Sequence, residues 1–300
     1  MKTIIGLVLI IITACPAYSS DEVYRDAGAG AFSFLKIDPG ARAAALGGTG
    51  LLNSGNLAGF TNPAALAEIQ SGALSAGHNR WFGDASQSFL AWTFRVNRIS
   101  CFVGSRFLYV GGLEMRESAT SQPVTTFSSW DMAFSAAAAM RLGMFRLGIA
   151  VKYIREKIWL ESAGGLALDA GVTVNPISGL VLAGALQHLG PSVTMNEEEF
   201  RLPATWRLGG RYSLDLPLGR ASLSAEVGKP LDNTPKAGCG LEYSPQKWVD
   251  IRFGMRFLDD TRNLTAGLGL SAGSWTLDYA YVPTDYAMGT VHRFTLHKSL

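Results

Sequence analysis

The sequence predicts an all-β protein: a closed antiparallel barrel of about fourteen strands spanning an outer membrane, with a short helical plug at its N-terminal end. Three observations point there. From Gly72 onward, segments that alternate apolar and polar side chains follow one another to the C-terminus. The connections sort by length, tight turns after even-numbered strands and longer loops after odd-numbered ones. Ala31–Ala67, ahead of the first strand, is unlike the rest: rich in Ala and Gly, poor in charge and helical in pattern.

Composition excludes other classes. With 48% hydrophobic and 17% charged residues in 300, the chain is neither disordered nor a helical membrane protein. Its net charge of +2 is dispersed, which leaves no patch for nucleic acid. Three scattered cysteines make neither a disulfide framework nor a zinc site.

Met1–Ser19 reads as an export signal, with Lys2 as the basic start and Ile4–Thr13 as the apolar run. That run is too short to span a bilayer, which takes about 20 apolar residues. Ala17-Tyr18-Ser19 suits cleavage before Ser20, and Ile12-Thr13-Ala14-Cys15 offers a lipoprotein-type alternative with Cys15 acylated. The expected layout is signal 1–19, leader and plug 20–70, and barrel 71–300.

Within the plug, a first helix is expected at Gly40–Leu46, entered through Asp38-Pro39 as an acidic cap and stopped by Gly47-Gly48. A second begins at Asn62-Pro63, where Asn62 caps and Pro63 suits the first turn. A barrel of this size encloses a lumen too wide for its own side chains to fill. A dense, weakly charged segment before the first strand is available to fill it.

Phe34-Leu35-Lys36-Ile37, then Ala41-Arg42-Ala43-Ala44-Ala45-Leu46-Gly47, then Asn62-Pro63-Ala64, resembles the N-terminal signature of the PorV/PorQ family, outer-membrane barrels related to the FadL fatty-acid channel. Tyr279-Ala280-Tyr281-Val282-Pro283 and His292-Arg293-Phe294 resemble how that family ends. The acidic residues usual in the family between the two helices are missing from Thr49–Thr61. The PorV/PorQ resemblance implies a component of type IX protein secretion, with exported cargo or secretion-system subunits as partners. The FadL resemblance implies an N-terminal hatch and a passage for a hydrophobic ligand.

Strands are expected at Gly72–Trp81, Ser86–Arg95, Ile99–Tyr109, Trp130–Leu142, Met144–Arg155, Gly164–Val174 and Leu180–Leu189. The second half continues with Ala204–Leu214, Arg220–Gly228, Lys236–Tyr243, Trp248–Phe257, Arg262–Ala272, Ser274–Val282 and Gly289–Lys298. Ile251, Phe253, Met255 and Phe257 share one face, and Asp250, Arg252, Gly254 and Arg256 the other. A soluble sandwich also alternates, so the loops carry the decision. Short turns fall at Asn97, Gly143, Asn175-Pro176-Ile177, Pro245-Gln246 and Gly273, and long ones at Val110–Ser129, Gly190–Pro203 and Lys229–Pro235. Trp81, Trp130, Trp159, Trp206, Trp248 and Trp275 fall near strand ends, where an interfacial girdle belongs, and Trp92 does not.

The inward parity carries Arg106, Arg146, Lys152, Arg207, Arg211, Glu226, Glu242, Asp250, Arg252, Arg256, Asp278 and Arg293. With both signs mixed, a network of ion pairs holding lumen and plug in shape is favoured over a selectivity lining. Arg42 is expected to find a wall carboxylate among Asp250, Asp278, Glu226 and Glu242. His78, His188, His292 and His297 stand isolated, without metal-type spacing, and no Ser-His-acid elbow is recognisable. The reading is a non-enzymatic barrel without cofactor or metal, in contact with outer-membrane lipid. Cys101 and Cys239 lie on the apolar parity, as free thiols. Asn196–Phe200, with three glutamates, reads as a solvated outer loop.

Overall fold

A computed structural model describes residues 31–300 except 54, 82, 117, 120–121, 258–263 and 285–288. The signal sequence, Cys15 and the leader to Gly30 lie outside the described residues. The strands are β1 (Ala73–Arg80), β2 (Ala85–Val96), β3 (Ile99–Met115), β4 (Thr125–Leu142), β5 (Phe145–Ile158), β6 (Glu161–Ile177), β7 (Leu180–Leu189) and the short β8 (Val193–Met195) and β9 (Glu198–Phe200). They continue as β10 (Thr205–Leu216), β11 (Gly219–Pro230), β12 (Lys236–Gln246), β13 (Val249–Phe257), β14 (Leu264–Ala272), β15 (Trp275–Pro283) and β16 (Thr290–Ser299).

Fourteen of these close into one antiparallel barrel, each strand pairing with its neighbour in sequence. Two junctions depart from simple succession: β7 pairs with β10, and β1 pairs with β16 from Ala73↔Ser299 to Arg80↔His292. β8 and β9 form a separate hairpin. Closure leaves no unpaired edge, the condition for a sheet to cross a membrane.

The exterior shows which solvent the barrel meets. Along β5, Phe145, Leu147, Ile149, Val151 and Tyr153 point outward, and Arg146, Gly148, Ala150, Lys152 and Ile154 point inward and are buried. Outward side chains stay bare: Ile149 is 65% exposed, Leu90 58% and Phe253 57%. A soluble sandwich buries its apolar parity. This chain exposes it all round and is a bacterial outer-membrane barrel.

At one end the turns are two residues each, 97–98, 143–144, 178–179, 217–218, 247–248 and 273–274. This is the periplasmic end. Two expected turns belong instead to strands. Pro176 lies in β6 and Pro245 in β12, each at a register shift, between Val174 and Ile177 and between Tyr243 and Gln246. A bulge tolerates a residue that cannot donate to the ladder, so the true turns come one or two residues later. At the outer end, the expected loop Val110–Ser129 shrinks to 116–124, because β3 continues through a bulge at Val110/Leu113, with Gly112 at φ 65°. The β5–β6 connection, 159–160, is as tight as a periplasmic turn, an exception to the sorting.

The lumen is filled by residues 33–68. Five short pieces replace the two expected helices: 3-10 turns at Ser33–Lys36, Gly55–Phe60 and Pro63–Glu68, and helices α1 (Ala41–Ala45) and α2 (Gly50–Asn53). Gly47, Gly48 and Gly55 at positive φ break the run into single turns. Phe34 and Leu35 lie toward the outer end, and Glu68 reaches Arg146 beside the periplasmic turn 143–144, so the segment runs down the lumen and joins β1 at the periplasmic end.

Trp130 stacks with Phe107 on the outer face, and Trp275 lies under Lys298. Trp81 leaves the expected girdle and packs inward against the plug beside Arg293. Trp92 lies on the lipid face with Phe94.

Candidate functional site

The site is the contact between plug and wall, with a cavity above it. Every charged group of the plug is taken up by the barrel. Arg42 of α1 pairs with Glu242 of β12 at two points, Nε–Oε2 2.8 Å and Nη2–Oε1 2.6 Å. Glu242 also accepts from Arg252 Nε at 2.7 Å, and Arg252 spreads its remaining donors to Asp278 at 2.6 Å and Asp250 at 2.9 Å. His297 stands 3.4 Å from Asp278. Glu242, Asp278 and Asp250 each face an arginine, so none of the three is buried alone.

A second group centres on Asp38. Arg207 of β10 donates to both its carboxylate oxygens at 2.9 Å and also pairs with Glu226 at 2.5 Å, while Glu226 accepts the Leu51 N–H at 2.8 Å. Burial alone would push the Asp38 carboxyl up, but Arg207, with Arg106 and Arg293 farther off, holds it below the usual carboxylate range. The expected helix cap is therefore absent: α1 has Gly40 at its N-cap and no side-chain cap, because Asp38 is committed to Arg207. Arg106 donates to the Ile37 carbonyl at 3.1 Å and Arg293 to the Asp38 carbonyl at 2.7 Å. Arginines from β3, β10 and β16 thus converge on two consecutive plug residues.

Toward the periplasm, Glu68 lies 3.2 Å from Arg211 and 3.4 Å from Arg146. Arg211 also donates to the Leu52 carbonyl at 2.6 Å. Behind the plug, Lys152 (0% exposed) pairs with Asp169 at 2.5 Å and approaches His188 Nδ1 at 3.3 Å. There the β6–β7 ladder bulges: Gln187 and His188 together oppose Asp169, which accepts the His188 N–H at 2.8 Å. His188, expected to stand alone, is buried in this cluster. The extra residue of the bulge turns both Gln187 and His188 inward and spoils the alternation of β7.

Glycines supply the rest of the fit. A Cβ on Gly254 would fall 2.0 Å from the Gly47 nitrogen, and one on Gly240 2.6 Å from the Leu46 Cβ. Below, a Cβ on Gly148 would meet Pro63 at 2.3 Å, and one on Gly171 would meet the Asn62 oxygen at 2.0 Å. Thr265 closes the upper dock, accepting from the Gly47 N–H at 3.1 Å and donating to the Ala45 carbonyl at 2.9 Å. The Ala41 N–H donates to Thr295 at 3.0 Å. Asn62 caps its turn by accepting the Ala64 N–H at 3.2 Å.

The named plug residues thus divide by task. Ala41, Leu46, Gly47, Asn62, Pro63 and Ala64 press on the wall, Arg42 pairs with Glu242, and Phe34 and Leu35 pack toward the mouth. There Phe32, Phe34 and Leu35 meet Val193 and Leu202, so the β8–β9 hairpin folds inward onto the plug. What sequence reasoning missed is Glu68, the pairing of Asp38 with Arg207, and the docking glycines. Glycine recurring on the inward parity of β12 to β14 was the available signal.

Above the docks lies a cavity of about 410 Å³, within the range of small-molecule sites. Leu35, Ile37, Ala44, Trp81 and Phe257 line it with Arg256, Arg293 and the Asp38–Arg207–Glu226 group. No group of three or more potential metal-ligating side chains occurs among the described residues.

No protein-family model matches the chain, and no curated protein matches its sequence. Solved structures do match. The Ralstonia pickettii toluene transporter TbuX is 16% identical, with a TM-score of 0.62 over 87% of this chain and 98% of that one. The CymD monoaromatic hydrocarbon channel is 11% identical, with a TM-score of 0.60 over 86% of this chain and 98% of that one. A Pseudomonas aeruginosa FadL homologue is 13% identical, with a TM-score of 0.58 over 87% and 98%. These three are transport proteins, not enzymes. At these identities the likeness is one of fold, and the fold is that of the FadL-type outer-membrane barrels.

Proposed function

We propose that the protein is an outer-membrane channel for small hydrophobic molecules, in which the plug blocks free diffusion and the outer cavity receives the solute. The observation that carries this reading is the cavity of about 410 Å³ between plug and wall, in a fold shared with a toluene transporter and a monoaromatic hydrocarbon channel. Its charges do not argue against an apolar guest: Asp38 and Glu226 are both paired with Arg207, and Leu35, Ile37, Trp81 and Phe257 supply apolar wall. The type IX secretion role rests on the resemblance of the plug motif and of the C-terminal strands. In the fold that motif is buried against the wall, where it has a structural task and no surface to offer cargo.

Toluene uptake tests the proposal. Expressed in the outer membrane of a host without a hydrocarbon channel, the protein should raise the initial uptake rate, and Thr205→Trp, filling the cavity from β10, should abolish the gain. Uptake equal to that of the empty host, with the barrel folded in the membrane, would overturn the proposal.

A further inference from the structure

The two ends of the barrel differ in charge. The tight-turn end exposes Arg95, Arg98, Arg141, Arg220, Lys247 and Lys298, against a single exposed side-chain carboxylate among the described residues there, Asp215. Of the six cations only Arg220 has a carboxylate partner among the described residues, Asp215 at 3.6 Å, and both side chains of that pair are largely in solvent. The pairing of Ile99 with Met140 brings the 97–98 turn beside Arg141, so three arginines gather on adjacent turns. The opposite end mixes its cations with exposed carboxylates at Asp84, Glu114, Glu161 and Glu197–Glu199.

This basic rim is also apolar. Val96, Leu142, Met144, Leu218 and Trp248 are exposed at the level of the turns, Leu218 by 79%. Lys298 lies over the Trp275 ring at 5.2 Å, a cation extended along an interfacial aromatic. With only two residues each, the turns at this end do not shield the rim. A surface of cations mostly without carboxylate partners, beside bare apolar side chains continuous with the lipid-facing belt, fits a partner that is both anionic and membrane-embedded.

We propose that the tight-turn rim binds anionic phospholipid headgroups of the periplasmic leaflet, with Arg95, Arg98 and Arg141 as the densest site. The headgroup phosphates would take the arginine donors while the acyl chains run up the outer wall. This inference is independent of what passes through the barrel.

The test is lipid retention by native mass spectrometry from mixed micelles holding equal phosphatidylglycerol and phosphatidylcholine. The wild-type protein should retain phosphatidylglycerol preferentially. The triple variant Arg95→Gln/Arg98→Gln/Arg141→Gln should lower the ratio at least about fivefold, the worth of one basic side chain near an anionic surface. A control at the other end, Arg80→Gln/Arg155→Gln, should leave the ratio unchanged. Heat-modifiable gel migration establishes that each variant is folded. Should the triple variant not fold, Lys247→Gln/Lys298→Gln takes its place with the same expected direction. No preference in the wild-type protein, a preference untouched by the rim variants, or one lost only in the control overturns the proposal.

Discussion

Arg42 and Glu242 are 200 residues apart in sequence, yet their side chains meet at two points, 2.8 and 2.6 Å, and fasten the plug to the wall. Glu242 is shared with Arg252. Glu242→Gln therefore strands Arg42, while Arg252 keeps Asp278 and Asp250, and Arg42→Met leaves Glu242 its bond from Arg252. Glu242→Gln should cost about 3–5 kcal/mol, as for one partner removed from a buried pair. Arg42→Met should cost clearly less, since its side chain is 30% exposed. Thermal unfolding of the purified barrels measures both, and equal losses would dissolve the network as drawn.

The buried Lys152–Asp169 pair permits a sharper contrast. Lys152→Met leaves Asp169 buried without its cation and should destabilise by about 3–5 kcal/mol. The double variant Lys152→Met/Asp169→Asn removes both charges and keeps an acceptor for the His188 N–H. It should recover most of the loss. Denaturant midpoints of the two variants decide the matter.

Neighbouring residues separate the two faces of β13. Phe253→Arg places a charge in the lipid belt and should cost about 2–4 kcal/mol of barrel stability. Gly254→Ala leaves the barrel folded but drives a methyl into the Gly47 backbone, so the plug must shift. Single-channel recording should show raised conductance for Gly254→Ala and poor folding for Phe253→Arg. The reverse pattern would mean the faces are exchanged.

Deleting the plug should leave a closed barrel, because every strand keeps both ladder partners without it. In a planar bilayer the intact protein should conduct little and the deletion a great deal. High conductance in both would show that the segment does not seal the lumen.

Much of this was legible before the structure. Strand parity follows from a period of two that any membrane barrel must keep, and Phe253 and Arg252 obey it. Turn placement failed at Pro176 and Pro245 because proline marks a loop in isolation, whereas a bulge lets it stay in the strand. The Arg42 partner was narrowed to four carboxylates. Choosing Glu242 required the stagger of β12 against α1, which no local pattern encodes. His188 was misread as solitary because a bulge carries no compositional mark. Asp38 illustrates competition: as a cap it would accept from a neutral backbone N–H, whereas Arg207 offers two bonds between opposite full charges.

The plug descends from the outer mouth and joins β1 at the periplasmic end, where the Leu300 N–H donates to the Gly72 carbonyl at 2.9 Å. Its covalent anchor is therefore on the inner side. A plug pulled from its docks stays leashed to β1 at the periplasmic end, like a door that keeps its hinge. A breach of the seal is accordingly reversible, because the same segment remains within reach of the same arginines and glycines.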